Sequence, residues 1–171
     1  AEAVANSPTS LPERQVMLAN AETLVQRFDY IVGRVDDVTK EMNSQIAGAV
    51  SEINQLAGGI ATLNDEIAKV SGRSSGLPND LLDQRDALIV QLSSLVDTKT
   101  LAQDDGSLNV FIGRGQPLVT GTVAETLATQ TDPDLGSTSI VTLSAFVAGS
   151  SDVSDFLTGG KLGAALAVTD E

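Results

Sequence analysis

The sequence predicts an α+β fold: a long antiparallel coiled-coil helical hairpin, followed by a small antiparallel β-meander and the start of a third helix. Three observations predict it. An apolar stripe recurs at alternating steps of three and four residues from Leu18 to Val70. A turn rich in Gly, Ser and Pro, Ser71 to Pro78, separates that stripe from a second, shorter amphipathic run. Beyond Asp97 the pattern changes from helical to extended.

The stripe reads Leu18, Ala21, Val25, Phe28, Val32, Val35, Thr39, Met42, Ile46, Ala49, Ile53, Leu56, Ile60, Leu63, Ile67 and Val70. Only Thr39 is not apolar, and its methyl group is tolerable in a seam. A strict repeat of seven kept over so many turns is the signature of a coiled coil. A lone helix with a period of 3.6 drifts off such a seam. Ser10-Leu11-Pro12-Glu13 reads as a capping box that starts the helix, and Gly72, followed by Arg73, reads as its left-handed stop. The helix so bounded has roughly 60 residues and a length on the order of 90 Å. Gly33, Gly48, Gly58 and Gly59 lie inside it, off the stripe, each costing about 1 kcal/mol relative to alanine. The simpler expectation is that heptad burial outweighs them and they do nothing. The sharper one is that they let neighbouring molecules approach the outer face.

The short turn folds the next helix back antiparallel. It spans about 79–96, with Asn79 as its cap and Asp80 and Asp83 in the first turn, where the dipole favours carboxylates. Leu81, Leu82, Leu88, Leu92 and Leu95 form its packing face, with Ile89 and Val96. At about 18 residues it reaches only the far end of the long helix, near Ile53 to Val70. The stripe from Leu18 to Ala49 is left without a mate inside this chain, so its partner is expected from another molecule or from sequence outside it.

Strands are expected at Thr98 to Gln103 and Leu108 to Gly113, flanking the hairpin turn Asp104-Asp105-Gly106-Ser107. Arg114-Gly115-Gln116 turns into Pro117 to Thr120. Val123 to Thr129 and Thr138 to Ala148 are two more candidates, separated by Asp132-Pro133-Asp134-Leu135-Gly136. No crossover is long enough for a parallel pair, so one antiparallel meander is expected. After Gly159-Gly160, Lys161 to Val168 begins a third helix. The expected organisation is a helical part over 1–97, a β region over 98–160 and a truncated return helix over 161–171. An opening alanine and a last stretch that reads like the middle of an element suggest an excised fragment.

Composition narrows the function. Of 171 residues, 42% are hydrophobic but only 3% aromatic, which suits bundles and small sheets better than a deep ligand cavity. A net charge of −13 and a pI near 4.1 repel phosphate backbones and anionic membranes, so neither nucleic-acid binding nor membrane insertion is expected. No apolar run is long enough to span a bilayer, and no signal peptide opens the chain. Without histidine or cysteine there is no His-based acid–base chemistry, no Ser–His or Cys–His nucleophile, no zinc site with N or S ligands and no disulfide framework.

The remaining chemistry-like patterns are weak. Asp104-Asp105-Gly106 lacks the alternating oxygen ligands and closing glutamate of a calcium loop. Gly159-Gly160-Lys161-Leu162 has leucine where a phosphate-binding loop needs Ser or Thr, and Asp155 where its first glycine belongs. Asp80, Asp83 and Asp86 with Arg85 read as a solvated or paired helix face, in which each pair contributes about 0.2–0.5 kcal/mol. Phe28 on the seam and Tyr30 beside it read as core and rim. No catalytic residue, metal ligand or cofactor site is expected. An enzyme reading, as a carboxylate-based hydrolase or a metal-dependent enzyme, needs two carboxylates converging in a pocket.

Several stretches together resemble the flagellar hook-associated protein 1 family, the hook–filament junction protein of bacterial flagella. Asn6-Ser7-Pro8-Thr9, Arg14 to Leu18 and Leu24 to Phe28 are similar to the family's entry into its long helix. Asn79-Asp80-Leu81-Leu82-Asp83-Gln84-Arg85-Asp86-Ala87-Leu88 is the most recognisable segment. Asp105 to Val110, Gly115 to Gly121 and Lys161 to Leu166 are similar to the strands and the helical return that follow, and Thr169 departs from an expected arginine. The resemblance implies a secreted structural protein of the flagellum, exported unfolded, that joins hook and filament by helical subunit packing and is no enzyme. It implies that the missing mate of the stripe is the family's C-terminal helix. It implies as partners copies of the chain itself, the hook protein, the second junction protein, and an export chaperone acting through a region outside these residues. Polar residues such as Arg34, Asp37 and Lys40 are then expected to face neighbouring subunits. The competing reading is another secreted coiled-coil protein, such as an adhesin stalk or phage tail component.

Overall fold

The computed structural model describes residues 11–71, 78–131, 139–145 and 149–169. Helix α1 is Leu11–Ser71, 61 residues without a break. Both expected end signals, Ser10 and Gly72, lie outside the described residues. Glu13 stands in the first turn and Lys69 in the last, complementing the dipole at each end. The Thr39 hydroxyl donates to the Val35 carbonyl at 3.0 Å, which disposes of the one polar group on the stripe within the helix's own backbone.

Helix α2 is Asn79–Leu95. Asn79 is its first helical residue rather than its cap. Pro78 holds the cap position without a side-chain bond, and its carbonyl accepts the amides of Leu81 and Leu82 at 3.0 and 3.1 Å. The direction of α2 is antiparallel to α1: Arg85 bonds Asn64, while Leu88, further along α2, lies against Gly59, further back along α1. A Cβ on Gly59 would stand 2.9 Å from Leu88 Cδ1, so this glycine admits a side chain of the same chain. Gly33, Gly48 and Gly58 face open space.

The antiparallel meander forms, divided into two sheets. The first has the order β1-β2-β3-β4, with β1 Thr98–Ala102, β2 Leu108–Ile112, β3 Gln116–Thr120 and β4 Val123–Ala124. The second has the order β5-β6-β7, with β5 Thr126–Thr131, β6 Ser139–Ala145 and β7 Gly149–Asp152. The expected strand from Val123 to Thr129 is thus cut at Glu125, whose amide donates to the Leu118 carbonyl at 2.8 Å and turns the chain from one sheet to the other. The β7 sequence Gly-Ser-Ser-Asp has no apolar alternation, which is why periodicity does not find it. The turn expected at Asp132 to Gly136 lies outside the described residues.

The hairpin at Asp104 to Ser107 forms as the sequence reads. Gly106 takes φ 86°, and Asp105 Oδ1 accepts from Ser107 N at 2.9 Å and Ser107 Oγ at 2.6 Å. A 3₁₀ turn, Ser154–Phe156, leads into helix α3, Gly160–Thr169. Gly159 and Gly160 have φ of 69° and 58° and lie against Asp97 and the Leu95–Val96 backbone, where any Cβ would collide. Of the two glycines, Gly159 therefore packs on the chain's own carboxylate and Gly160 on its own backbone.

One apolar core joins these parts. Ile46, Ile53 and Ile60 of α1, Leu92 and Leu95 of α2, Val110, Ile112 and Leu118 of the first sheet, Leu127 and Val141 of the second, and Leu162 of α3 are all buried in it. The contacts divide the chain into two compact units, residues 1–40 and 41–171, and the boundary falls inside α1.

Candidate functional site

In the larger unit, α1 is fastened to the sheets by a ladder of asparagines. Asn54 makes two bonds to one residue of β5: its Nδ2 donates to the Leu127 carbonyl at 2.8 Å and its Oδ1 accepts the Leu127 amide at 2.9 Å. Asn64 treats Leu108 at the start of β2 the same way, with its Nδ2 on the carbonyl at 2.8 Å and its Oδ1 on the amide at 3.1 Å. Asn64 Nδ2 also donates to the Gly121 carbonyl at 2.6 Å. Asn43 Oδ1 accepts the amide of Ser139, where β6 begins, at 3.0 Å. A primary amide carries the same donor and acceptor as a peptide group, so each asparagine can complete a strand's backbone bonding from a helix.

The ladder ends on a buried cation. Arg85 is only 5% exposed, and its Nη1 donates to Asn64 Oδ1 at 3.1 Å and to the Gly106 carbonyl at 2.8 Å. Its Nε has no partner. Burial lowers the Arg85 pKa, and the nearby Asp86 carboxylate works in the opposite direction. The helix face read as a solvated stripe is therefore split: Asp80, Asp83 and Asp86 are exposed, while the arginine between them turns inward and ties α2, α1 and the β1–β2 hairpin together. Neutral amide and carbonyl oxygens, rather than a carboxylate, hold its charge.

The residues read from the sequence separate by position. On the stripe, Ile46, Ile53, Leu56, Ile60 and Ile67 are buried, Met42 and Leu63 are half-buried, and Val70 is exposed. The chain itself thus covers the stripe from Ile46 onward, earlier than the expected limit near Ile53, because the second sheet and α3 add to what α2 covers. In the smaller unit, Leu18, Val25, Phe28, Val32 and Val35 are 57–63% exposed. Leu92 and Leu95 of α2 are buried, Leu81, Leu82 and Leu88 are half-buried, and Arg34, Asp37 and Lys40 are exposed. An apolar groove of about 610 Å³ lies between α1 and α3, lined by Met42, Gly48, Ala49, Leu95, Ala164 and Ala165 among others.

Sequence reasoning misses Asn43, Asn54 and Asn64, and it places Arg85 on a solvated or paired face. A signal for the first three was present: asparagine is disfavoured in helix interiors, and Asn43 and Asn54 stand eleven positions apart, about three turns, on one face. Chemically the ladder can dock and align, and nothing in it is arranged to react. Among the described residues no group of three or more acidic, His or Cys side chains is placed to hold a metal ion, and no helix is long and apolar enough to cross a membrane.

The whole chain, residues 1–171, matches the family described as the flagellar hook-associated protein FlgK helical domain. The chain belongs to that family. It is similar to the flagellar hook-associated protein 1 of Salmonella typhimurium, 40% identical over 116 residues that make up 67% of this chain and 21% of that protein. It is similar to the protein of the same name from Bacillus subtilis, 30% identical over 118 residues, 64% of this chain and 23% of that one. The structure of the flagellar hook junction protein FlgK from Burkholderia pseudomallei matches with a TM-score of 0.84 at 32% identity, over 99% of this chain and 31% of that one. The chain therefore spans about a fifth of the length of the curated relatives it matches. The likeness to the FlgK structure agrees with the α+β arrangement of a long helix, a second helix, antiparallel strands and a third helix.

Proposed function

We propose that this chain is part of a structural subunit of the bacterial flagellum, exported to the junction of hook and filament, where it holds the two together by helix packing and catalyses nothing. One observation carries the reading beyond the family: the apolar stripe of residues 11–40 is bare, with Phe28 60% and Val25 57% exposed. Exposed apolar surface of that extent marks a packing surface. Its mate is a lengthwise helix supplied by the rest of the subunit, making an antiparallel coiled coil over the seam residues Leu18, Val25, Phe28, Val32 and Val35. Copies of the subunit, the hook protein and the second junction protein are the neighbours, reached in part through Arg34, Asp37 and Lys40.

The test is genetic. A flagellated strain lacking its own hook-associated protein 1 regains swimming when supplied with the full-length protein that carries this segment. It stays non-motile when Val25→Asp and Val32→Asp are both present, because two carboxylates in the seam repel an apolar mate. Equal swimming from both forms overturns the reading.

A further inference from the structure

The apolar face of residues 11–40 is wider than one partner helix needs. Beside the seam runs a second column at the same step of seven, Met17, Leu24, Ile31 and Val38, all exposed. A two-helix seam buries two positions in seven, and a third apolar column widens the face past what a single mate covers. Charges border this wide face unequally. Arg27 and Arg34 flank the second column, while Glu22, Asp29 and Asp36 flank the seam on its other side. At 3.6 residues per turn the two charged columns lie about 160° apart around the helix. Arg27, Glu22 and Asp29 have no opposite charge three or four positions away, whereas Arg34 has Asp37 and Asp36 has Lys40 at those spacings. None of the five charged residues joins an ion pair with another described residue. A merely solvated helix face places opposite charges at those spacings, where they support the helix.

We infer that copies of this chain pack side by side and parallel through this helix, with Arg27 and Arg34 of one copy against Asp29 and Asp36 of the next. The inference rests on the reading of the chain as a self-packing subunit and names the surface that does it. Both columns repeat every seven residues, so one axial shift of two residues, about 3 Å, brings both pairs level at once. Because the columns lie on nearly opposite sides, each copy offers one to either neighbour, and the contact propagates head-to-tail instead of closing as a pair. A two-fold contact would set each column against itself, like charge on like.

The chain has no cysteine, so introduced thiols report contacts without background. A 171-residue chain carrying Arg27→Cys and Asp29→Cys together gives, on oxidation, a ladder of dimers, trimers and longer species, while each single substitution stays monomeric. The two thiols of one chain point to opposite sides of the helix and cannot close on each other. A dimer from Arg27→Cys alone, or no ladder from the pair, overturns the inference. Charge exchange is the second arm. Arg27→Glu with Arg34→Glu, and Glu22→Arg with Asp29→Arg and Asp36→Arg, each raise the concentration needed for association at least tenfold, and an equal mixture of the two restores it. Unchanged association of either variant, at unchanged helicity by circular dichroism, also overturns it. Swimming without a ladder removes only this inference; a ladder without swimming removes only the junction role.

Discussion

The two halves of α1 carry the same seven-residue stripe and meet opposite surroundings. From Ile46 to Ile67 the stripe is buried or half-buried, Ile53 and Ile60 completely, and from Leu18 to Val35 it is bare. The columns beside the stripe differ in a way that matches. Next to the buried half, one flank reads Asn43, Val50, Ala57 and Asn64, small, apolar or amide-bearing, and it receives the sheets. In the bare half the same flank reads Glu22, Asp29 and Asp36. The opposite flank inverts: Met17, Leu24, Ile31 and Val38 in the bare half, Gln45, Glu52, Gly59 and Glu66 in the buried one. The seam states that a helix needs a mate, and the flanks state on which side the mate stands.

The sharpest way to break this comparison is to cut one β-branched side chain in each half back to alanine. Ile60→Ala should cost about 2–5 kcal/mol in denaturant unfolding, because a fully buried branched side chain leaves a cavity. Val32→Ala should stay within about 0.5 kcal/mol, as an exposed substitution does. Equal losses would mean that the bare half is covered in solution. Comparable in size is Asn64→Leu, which removes the partner of the Leu108 amide, the Leu108 carbonyl, the Gly121 carbonyl and one N–H of Arg85; at about 1–3 kcal/mol per stranded group, a loss of at least about 3 kcal/mol is expected. Asn43→Ala, which removes the acceptor for the Ser139 amide, should cost about 1 kcal/mol by the same measurement.

Smaller still are the glycines. Gly33→Ala meets open space and should raise helix stability by about 1 kcal/mol. Gly59→Ala gains the same propensity and loses part of it by pushing on Leu88, so its midpoint should move less. A larger gain at Gly59 than at Gly33 would contradict the close approach of α2. The smallest effect belongs to Asp105. Its bonds from the Ser107 hydroxyl and then the Ser107 amide hold its pKa below the ordinary carboxylate value. A depressed folded-state pKa contributes stability that is present above the unfolded value and lost as pH falls through the folded one. The stability difference between the wild type and Asp105→Ala should therefore be constant at neutral pH and fade below about pH 4, as followed by thermal unfolding.

Much of this was legible in the residues. The period of seven gives α1, the Gly-Ser-Pro turn gives the antiparallel return of α2, and Asp-Gly gives the first hairpin. What the stripe conceals is where its cover ends, because Val32 and Ile53 satisfy the same pattern. The split of the β region was hidden for a local reason: Val123 to Thr129 is continuous in composition, and only the Glu125 amide on Leu118 shows that it serves two sheets. Arg85 was misread because charge on a helix is ordinarily wet, and its partners are oxygens distant in sequence. Asn54 was passed over because a polar residue beside a seam looks like solvent-facing filler.

Asn54 also has a consequence for how such chains can associate. Leu127 sits in the outermost strand of its sheet, the place where a foreign strand could add itself by main-chain bonding. There the helix amide already occupies both the donor and the acceptor of that residue. A crowd of these chains is thereby discouraged from stacking into fibrils through β5.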